Sequence, residues 1–225
     1  MTAPLVKICG IREVRHARAA AEAGADMVGF VFAESRRCVT PEQAHEIATA
    51  PYARRPRFVG VFVNEDPAEV ARLAAEVRLD LVQLSGNESP AYCAELRLPY
   101  LKVLHVRDEM PAREIAQAAA LYPGAAAIVL DTAGAAGANR WGGTGMAIDA
   151  ALAAEAVRLI DRPVMLAGGL RPETVAQAIC AVRPWAVDVS SGVEVDGVKD
   201  EARIAAFVSA AKYSAAGEPA GKEER

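Results

Sequence analysis

The feature that most restricts the fold is an eightfold alternation of two kinds of segment. Short, largely β-branched apolar runs are separated by Ala-rich amphipathic stretches of helical length; the runs read LVKIC, MVGFVF, RFVGVFV, LVQL, YLKVLHV, AIVLD, PVMLA and AVDVS. Continuous apolar runs are typical of strands buried on both faces, and helix-length connections between them require a parallel sheet with right-handed crossovers. Eight such units without a linker predict an α/β fold, a single (β/α)₈ barrel.

The boundaries of the barrel follow from turn and capping signals. We expect the barrel to span residues 1–212 and the polar residues 213–225, which end in SAAGEPAGKEER, to be a disordered tail. Thr40 and Gln43 have the spacing of a capping box, and four prolines are expected in the first turn of a helix. Helices should begin near Arg12, Pro41, Pro67, Pro90, Pro111, Asp149, Pro172 and Asp200.

Composition argues against several classes of partner. The net charge is −4 with a pI near 5.5, and the basic residues are scattered, which argues against nucleic acid and favours a small-molecule ligand. No secretory signal or membrane-spanning run is recognisable, so we expect a cytoplasmic protein without a membrane partner. The four cysteines form no metal-binding pattern, and neither a disulfide framework nor a metal site is predicted. The sequence leaves both a monomer and a homodimer open.

Reactive residues cluster where the predicted strands end, which is where a barrel of this kind carries its active site. The first strand ends at Cys9, the loop after the second contains Arg37, and the sixth strand ends at Asp131. Side-chain alternation places Lys7 on the same face as Cys9. Because the eighth strand closes against the first and an interior charge requires a partner, we predict an ion pair between Lys7 and Asp188.

The last two strands end in residues suited to an anion. Gly168 and Gly169 follow the seventh strand, and Ser190, Ser191 and Gly192 follow the eighth. Glycines allow close backbone approach, and N–H and hydroxyl groups supply donors, so this segment pair predicts a phosphate site. A long connection after Asp131 ends in GGTG and is interpreted as either a mobile lid or an exposed turn; its candidate lid residues are Gly142, Gly143, Thr144 and Gly145.

Eight fragments of this sequence resemble the phosphoribosylanthranilate isomerase family, in the family's order. They are KICGIR, GADMVGFVFAESRRCVTPEQA, FVGVFVNE, DLVQLSG, VLDT, GGTG, AGGLRPETV and VRPWAVDVSSGVE, within the span from Val6 to Lys212. The resemblance implies an Amadori rearrangement of a phosphosugar substrate in tryptophan biosynthesis, with no metal or redox cofactor. It also implies that Cys9 is the general base, that Asp131 is the general acid, and that Arg37 binds the anthranilate carboxylate.

The chemistry requires the same types of residue. An acid must open the furanose ring and a base must remove the C2′ proton. The pKa values of a carboxyl group and a thiol must both shift before the two groups can serve as acid and base at neutral pH. Burial would raise the pKa of Asp131, and a nearby cation would lower the pKa of Cys9. We expect Arg37 to bind a carboxylate and Arg36 to be a surface charge.

One departure from the family and two rival functions remain. The family commonly has Gln-Leu-His-Gly after the fourth strand, whereas this chain has Ser85 in place of the histidine; His105 ends the adjacent strand and is interpreted as a structural residue. The first rival is a histidine-pathway Amadori isomerase. A resemblance to that class would imply two Asp residues, one of them at the end of the first strand, so Cys9 at that position argues against it. The second is a non-catalytic sugar-phosphate-binding barrel, which the presence of both Cys9 and Asp131 disfavours.

Overall fold

The computed structural model describes residues 3–107, 109–132 and 148–213 and contains the predicted barrel. Eight parallel strands close in sequence order, from β1 through β8, with β8 hydrogen-bonded to β1. The strands are β1 (Leu5–Cys9), β2 (Met27–Val31), β3 (Arg57–Phe62), β4 (Leu81–Leu84), β5 (Tyr100–Val106), β6 (Ala127–Thr132), β7 (Val164–Leu166) and β8 (Ala186–Val189). The (β/α)₈ prediction is confirmed.

Helices alternate with these strands as the amphipathic pattern predicts. They are α1 (Val14–Ala23), α2 (Pro41–Thr49), α3 (Pro67–Val77), α4 (Pro90–Glu95), α5 (Ala112–Ala120), α6 (Ala150–Leu159), α7 (Val175–Val182) and α8 (Glu201–Tyr213). The capping box is confirmed: the Thr40 side chain accepts from Gln43 N–H at 3.2 Å, and the Gln43 side chain accepts from Thr40 N–H at 3.0 Å.

One of the four predictions that a proline lies in the first turn of a helix is wrong, and it concerns Pro172. Pro41, Pro67 and Pro90 each occupy the first turn of a helix, whereas Pro172 lies in a turn that precedes α7. That turn is closed by the Thr174 N–H, which donates to the Arg171 carbonyl at 3.1 Å. The helix therefore begins later in the chain than its proline indicates.

The core has two layers because alternate side chains of each strand face opposite ways. The larger layer lies between the strands and the helices. The smaller layer fills the barrel interior with Met27, Val59, Leu81, Leu101, Val103, Ala127, Val129, Met165, Ala167 and Ala186. Beyond this packed layer, the barrel opens toward the C-terminal ends of the strands.

The seam where the chain closes on itself is fastened by polar contacts around Asp26. Its carboxylate accepts the Val6 N–H at 2.9 Å and an ion-pair hydrogen bond from Lys212, whose ammonium also donates to the Pro4 carbonyl at 3.1 Å. Helix α8 thereby holds β1 in place. None of the helices in the described ranges is both long and apolar enough to cross a membrane.

Candidate active site

A cavity of about 900 Å³ lies at the C-terminal ends of the strands. Its walls come from the ends of β1, β2, β3, β4, β6 and β8 and from the residues that follow β2, β3, β4, β7 and β8. All eight described members of the predicted site line it: Cys9, Arg37, Asp131, Gly168, Gly169, Ser190, Ser191 and Gly192. The proposed lid residues Gly142, Gly143, Thr144 and Gly145 lie outside the described residues, as does the tail from residue 214 onward.

The predicted ion pair between Lys7 and Asp188 is confirmed beneath this cavity. The two residues are register partners on β1 and β8, and Lys7 Nζ lies 2.8 Å from Asp188 Oδ2. Lys7 is fully buried, and although burial alone would lower its pKa, the Asp188 carboxylate and Cys9 raise it. Asp188 Oδ1 has no hydrogen-bond partner among the described residues, and Asp188 lines the cavity. The pair thus places a buried carboxylate oxygen below the ligand space.

Cys9 lies against the neighbouring strand at a glycine. A Cβ atom at Gly29 would lie 2.9 Å from Cys9 Sγ and 3.2 Å from Lys7 Cε, so the thiol fits there because β2 has no side chain at that point. Burial raises the pKa of the Cys9 thiol, and the positive charge of Lys7 only partly offsets this effect. The expectation of a lowered thiol pKa is therefore wrong: the cation is present, but desolvation outweighs it.

Asp131 was expected to have a raised pKa, in contrast to Cys9, and the structure raises it. Burial raises its pKa to about 7, and the negative charge of Asp188 adds to the shift, while the Thr132 N–H, donating to Asp131 Oδ1 at 2.9 Å, opposes it. The carboxyl group therefore holds a proton near neutral pH that an ordinary Asp would have lost. The expected rise in the pKa of Asp131 is confirmed.

The candidate anion cradle follows β7 and β8. Gly168 has φ 84°, a backbone conformation that side chains with a Cβ rarely adopt, and a Cβ there would also overlap Thr132. Ser191–Val193 form a single 3₁₀ turn. The Ser190 hydroxyl donates to the Cys9 carbonyl at 3.2 Å, so its side chain ties the end of β8 to the end of β1. Close backbone approach and donor groups of this kind suit a phosphate.

Arg37 lines the cavity but also has a partner that the sequence reasoning missed. Its guanidinium binds the Glu194 carboxylate through two hydrogen bonds, Nε to Oε1 at 2.6 Å and Nη2 to Oε2 at 3.0 Å. Lys199 and Arg36 bind the same carboxylate, at 2.7 Å each. Hydrogen bonds from Arg37 and Lys199 outweigh the burial of Glu194 and lower its pKa to about 2. The Arg36 side chain is 58% exposed, as its interpretation as a surface charge requires.

The wall that carries Ser85 is polar as well. Gln83 Nε2 donates to Ser85 Oγ at 3.2 Å, and both residues line the cavity. His105 Nε2 lies 2.8 Å from the Ser85 carbonyl, which can only accept, so Nε2 carries the hydrogen. Burial lowers the pKa of His105, which favours the neutral ring. His105 therefore supports this wall from outside the cavity and does not supply an imidazole to it.

The side chains that could ligate a metal are dispersed in the described part of the chain. Within residues 3–107, 109–132 and 148–213, no group of three or more His, Cys, Asp or Glu side chains is arranged to hold a metal ion. All four cysteines are free thiols: Cys9 and Cys93 are buried, and Cys38 and Cys180 are exposed.

Fold and site together define a (β/α)₈-barrel enzyme in which a buried thiol and a carboxyl group of raised pKa share one cavity with a candidate anion cradle and an arginine. A family model described as N-(5′-phosphoribosyl)anthranilate (PRA) isomerase matches residues 6–210. The chain belongs to the N-(5′-phosphoribosyl)anthranilate isomerase family.

Individual relatives support the same assignment. The N-(5′-phosphoribosyl)anthranilate isomerase of Dehalococcoides mccartyi is 44% identical over 92% of this chain and 94% of its own length. A solved structure of phosphoribosyl anthranilate isomerase in complex with reduced 1-(o-carboxyphenylamino)-1-deoxyribulose 5-phosphate has a TM-score of 0.78 at 38% identity, covering 93% of this chain and 98% of the other. Monomers generated from the dimeric Thermotoga maritima enzyme give the same values.

Proposed function

We propose that the protein catalyses the conversion of N-(5′-phosphoribosyl)anthranilate to 1-(2-carboxyphenylamino)-1-deoxyribulose 5-phosphate in tryptophan biosynthesis. One observation carries the chemical part of the proposal: Cys9 and Asp131 line the same cavity, and the pKa of Asp131 is raised to about 7. Membership of the family supports the choice of substrate.

Asp131 is the proposed acid of the first step. Its proton passes to the furanose ring oxygen, the bond from that oxygen to C1′ breaks, and the nitrogen lone pair forms the Schiff base C=N bond. A carboxyl group with a pKa near 7 combines a useful protonated fraction with a strong tendency to donate. The phosphate is proposed to lie against the cradle after β7 and β8, and the anthranilate carboxylate against Arg37.

Cys9 is the proposed base of the second step. Its thiolate removes the C2′ proton, and the electrons of that bond move toward the iminium nitrogen to give an enolamine. Tautomerisation, which returns a proton to C1′ and removes one from the C2′ hydroxyl, then gives the ketone. After turnover Cys9 must lose a proton and Asp131 must regain one, so the two groups act as a pair.

The remaining parts of the proposal concern partners and compartment. The substrate is a phosphosugar, which agrees with the cradle and with the phosphate in the ligand of the related complex. We propose the cytoplasm as the compartment and a monomer or homodimer as the assembly, with no nucleic-acid partner.

A fluorescence assay that follows the loss of phosphoribosylanthranilate tests the function. Purified protein should consume this substrate, and both Cys9→Ser and Asp131→Asn should lose about 10²- to 10⁴-fold in kcat with little change in KM. Turnover of a histidine-pathway aminoaldose instead would overturn the assignment, and tight binding without turnover would indicate a binding protein.

A substrate already opened to the Schiff base separates the two roles. It bypasses ring opening, so Asp131→Asn should turn it over far better than the parent substrate. Cys9→Ser should remain impaired on both. The reverse pattern would show that the roles of acid and base are exchanged.

A further inference from the structure

A buried carboxylate behind the cavity holds three cations together. The Glu194 side chain is 5% exposed and is bound by Arg36, Arg37 and Lys199. The Arg37 and Lys199 side chains are themselves only 14% and 4% exposed. Glu194 does not line the active-site cavity, whereas Arg37 does. Glu194 is therefore placed to act on a ligand through Arg37 and not by direct contact.

A short hairpin after β8 fixes this geometry. Strands β9 (Glu194–Val195) and β10 (Val198–Lys199) pair antiparallel, with Lys199 directly opposite Glu194. The turn between them is Asp196-Gly197, and both residues have positive φ, at 49° and 80°, as a type I′ turn requires. The hairpin register thus sets the ion pair between the strands and presents the carboxylate to the loop after β2.

The way Glu194 binds Arg37 leaves a defined part of the guanidinium for a second anion. The carboxylate covers the edge formed by Nε and Nη2. Nη1 donates to none of the described residues, so the edge formed by Nη1 and Nη2 retains donors for another carboxylate. Guanidinium groups favour such bidentate, planar binding, which is most effective when the side chain is already held in place.

The same carboxylate is linked to the phosphate end of the cavity. Lys199 Nζ donates to Glu194 at 2.7 Å, to the Ser190 carbonyl at 2.8 Å and to Ser190 Oγ at 3.3 Å. Ser190 in turn donates to the Cys9 carbonyl. One contact network therefore joins the arginine, the end of β8 and the strand that carries the thiol.

We infer that Glu194 is a positioning residue that fixes Arg37 so that its Nη1–Nη2 edge receives the substrate carboxylate. This inference rests on the proposed role of Arg37. Since Glu194 acts on a contact that is present in both ground state and transition state, its loss should affect KM much more than kcat. The effect should also require a carboxylate on the substrate.

The test compares Glu194→Gln with wild type on two substrates, phosphoribosylanthranilate and the analogue made from aniline, which lacks the carboxylate. On the first, KM should rise about 10-fold or more, with kcat within about twofold, because a charge-assisted bidentate contact no longer holds the arginine. On the aniline analogue KM should be unchanged. Glu173→Gln, which removes an exposed carboxylate paired with Arg203, is the matched control and should leave both values unchanged.

Further variants separate the possible failures. In Arg37→Ala, adding Glu194→Gln should raise KM no further, because no arginine remains to be positioned. If Glu194→Gln does not fold, Glu194→Asp keeps the charge for Lys199 but shortens the reach to Arg37, and it should show the same substrate-selective rise in KM.

Glu194→Gln would overturn the inference if it changed KM equally for the two substrates. It would also overturn the inference if it left KM for phosphoribosylanthranilate unchanged while Arg37→Ala raised that KM. If wild-type protein consumes neither substrate, the proposed function fails instead. If Arg37→Ala itself leaves KM unchanged, the role of Arg37 fails.

Discussion

The pH dependence of kcat/KM should reveal that the proposed acid has a lower pKa than the proposed base. In the proposed mechanism Asp131 acts in its protonated form and Cys9 acts as the thiolate. The structure raises the pKa of Asp131 to about 7 and raises that of Cys9 above its ordinary value, in both cases because of burial. The acid therefore titrates at a lower pH than the base, and the reactive combination of carboxyl and thiolate is the minor one.

The size of this effect follows from the two values. For a thiol at its reference pKa of about 8.5 and a carboxyl at about 7, roughly 3% of the free enzyme carries the reactive combination between these pH values. Each further pKa unit on Cys9 lowers that fraction tenfold. This order of the two pKa values thus costs about 2 kcal/mol or more of activation free energy, at 1.36 kcal/mol per unit.

The sign of each limb follows. Activity should rise with pH until Asp131 ionises near 7, remain level, and fall once Cys9 is fully a thiolate, so that the acidic bend belongs to the carboxyl group and the alkaline bend to the thiol. This assignment applies where the chemical step limits kcat/KM.

The assay is kcat/KM by fluorescence across pH, for wild type and for the residual activities of two variants. In Asp131→Asn the bend near 7 should vanish and activity should climb to the thiol pKa. In Cys9→Ser the bend set by the thiol should vanish, and the residual activity should be level below about pH 7 and fall above it as Asp131 loses its proton. The alkylation rate of Cys9 against pH, read by peptide mass to exclude the exposed Cys38 and Cys180, reports the thiol directly. A thiol pKa below 7, or a bend near 7 that persists in Asp131→Asn, would refute the reasoning.

Three further outcomes follow from the buried charges. Lys7→Met should lower the free energy of unfolding by about 3 to 5 kcal/mol in a denaturant melt because Asp188 is left unpaired, and Lys7→Met/Asp188→Leu should recover much of it; strictly additive losses would contradict the pairing. Arg37→Ala should raise KM for phosphoribosylanthranilate with little change in kcat, and a collapse of kcat at constant KM would assign Arg37 to the chemistry. Asp131→Asn should stabilise the fold above pH 7 by up to about 4 kcal/mol, since ionised Asp131 is disfavoured there, and the gain should shrink to zero as pH falls through 4; a pH-independent change in Tm would argue against a raised pKa.

The barrel and the ion pair between Lys7 and Asp188 could be predicted from the sequence. Both depend only on the alternation of side chains along a strand and on which strands are neighbours in a closed barrel. A repeat of two places Lys7 with Cys9, and closure of the barrel brings the eighth strand to the first, so Asp188 was the partner within reach. The start of α7 at Val175 was harder to predict, because Pro172 is compatible both with the first turn of a helix and with a turn that precedes the helix. Such local alternatives differ by less energy than tertiary packing supplies.

The direction of the Cys9 pKa shift and the contacts of Glu194 could not be predicted from the sequence, each for a different reason. The direction of the Cys9 shift depends on whether desolvation exceeds the attraction of Lys7, which is a question of magnitude that residue order does not contain. Glu194 and Lys199 did carry a signal: VEVDGVK has alternating apolar residues around Asp-Gly, the pattern of a two-residue hairpin. The hairpin lies in the loop between β8 and α8, where a barrel can carry functional residues, but the pattern does not indicate that its carboxylate reaches back to Arg37 in the loop after β2.

The contact between Lys7 and Asp188 joins residues 181 positions apart in the chain, which has a consequence for synthesis. At typical elongation rates of about 5 to 20 residues per second, a ribosome needs roughly 10 to 40 s to add the second partner after the first. Until then β1 lacks its neighbour β8, and the closed barrel that buries Cys9 and Asp131 has not formed. A nascent or truncated chain without β8 should therefore have no enzymatic activity. Activity then indicates that synthesis has passed β8.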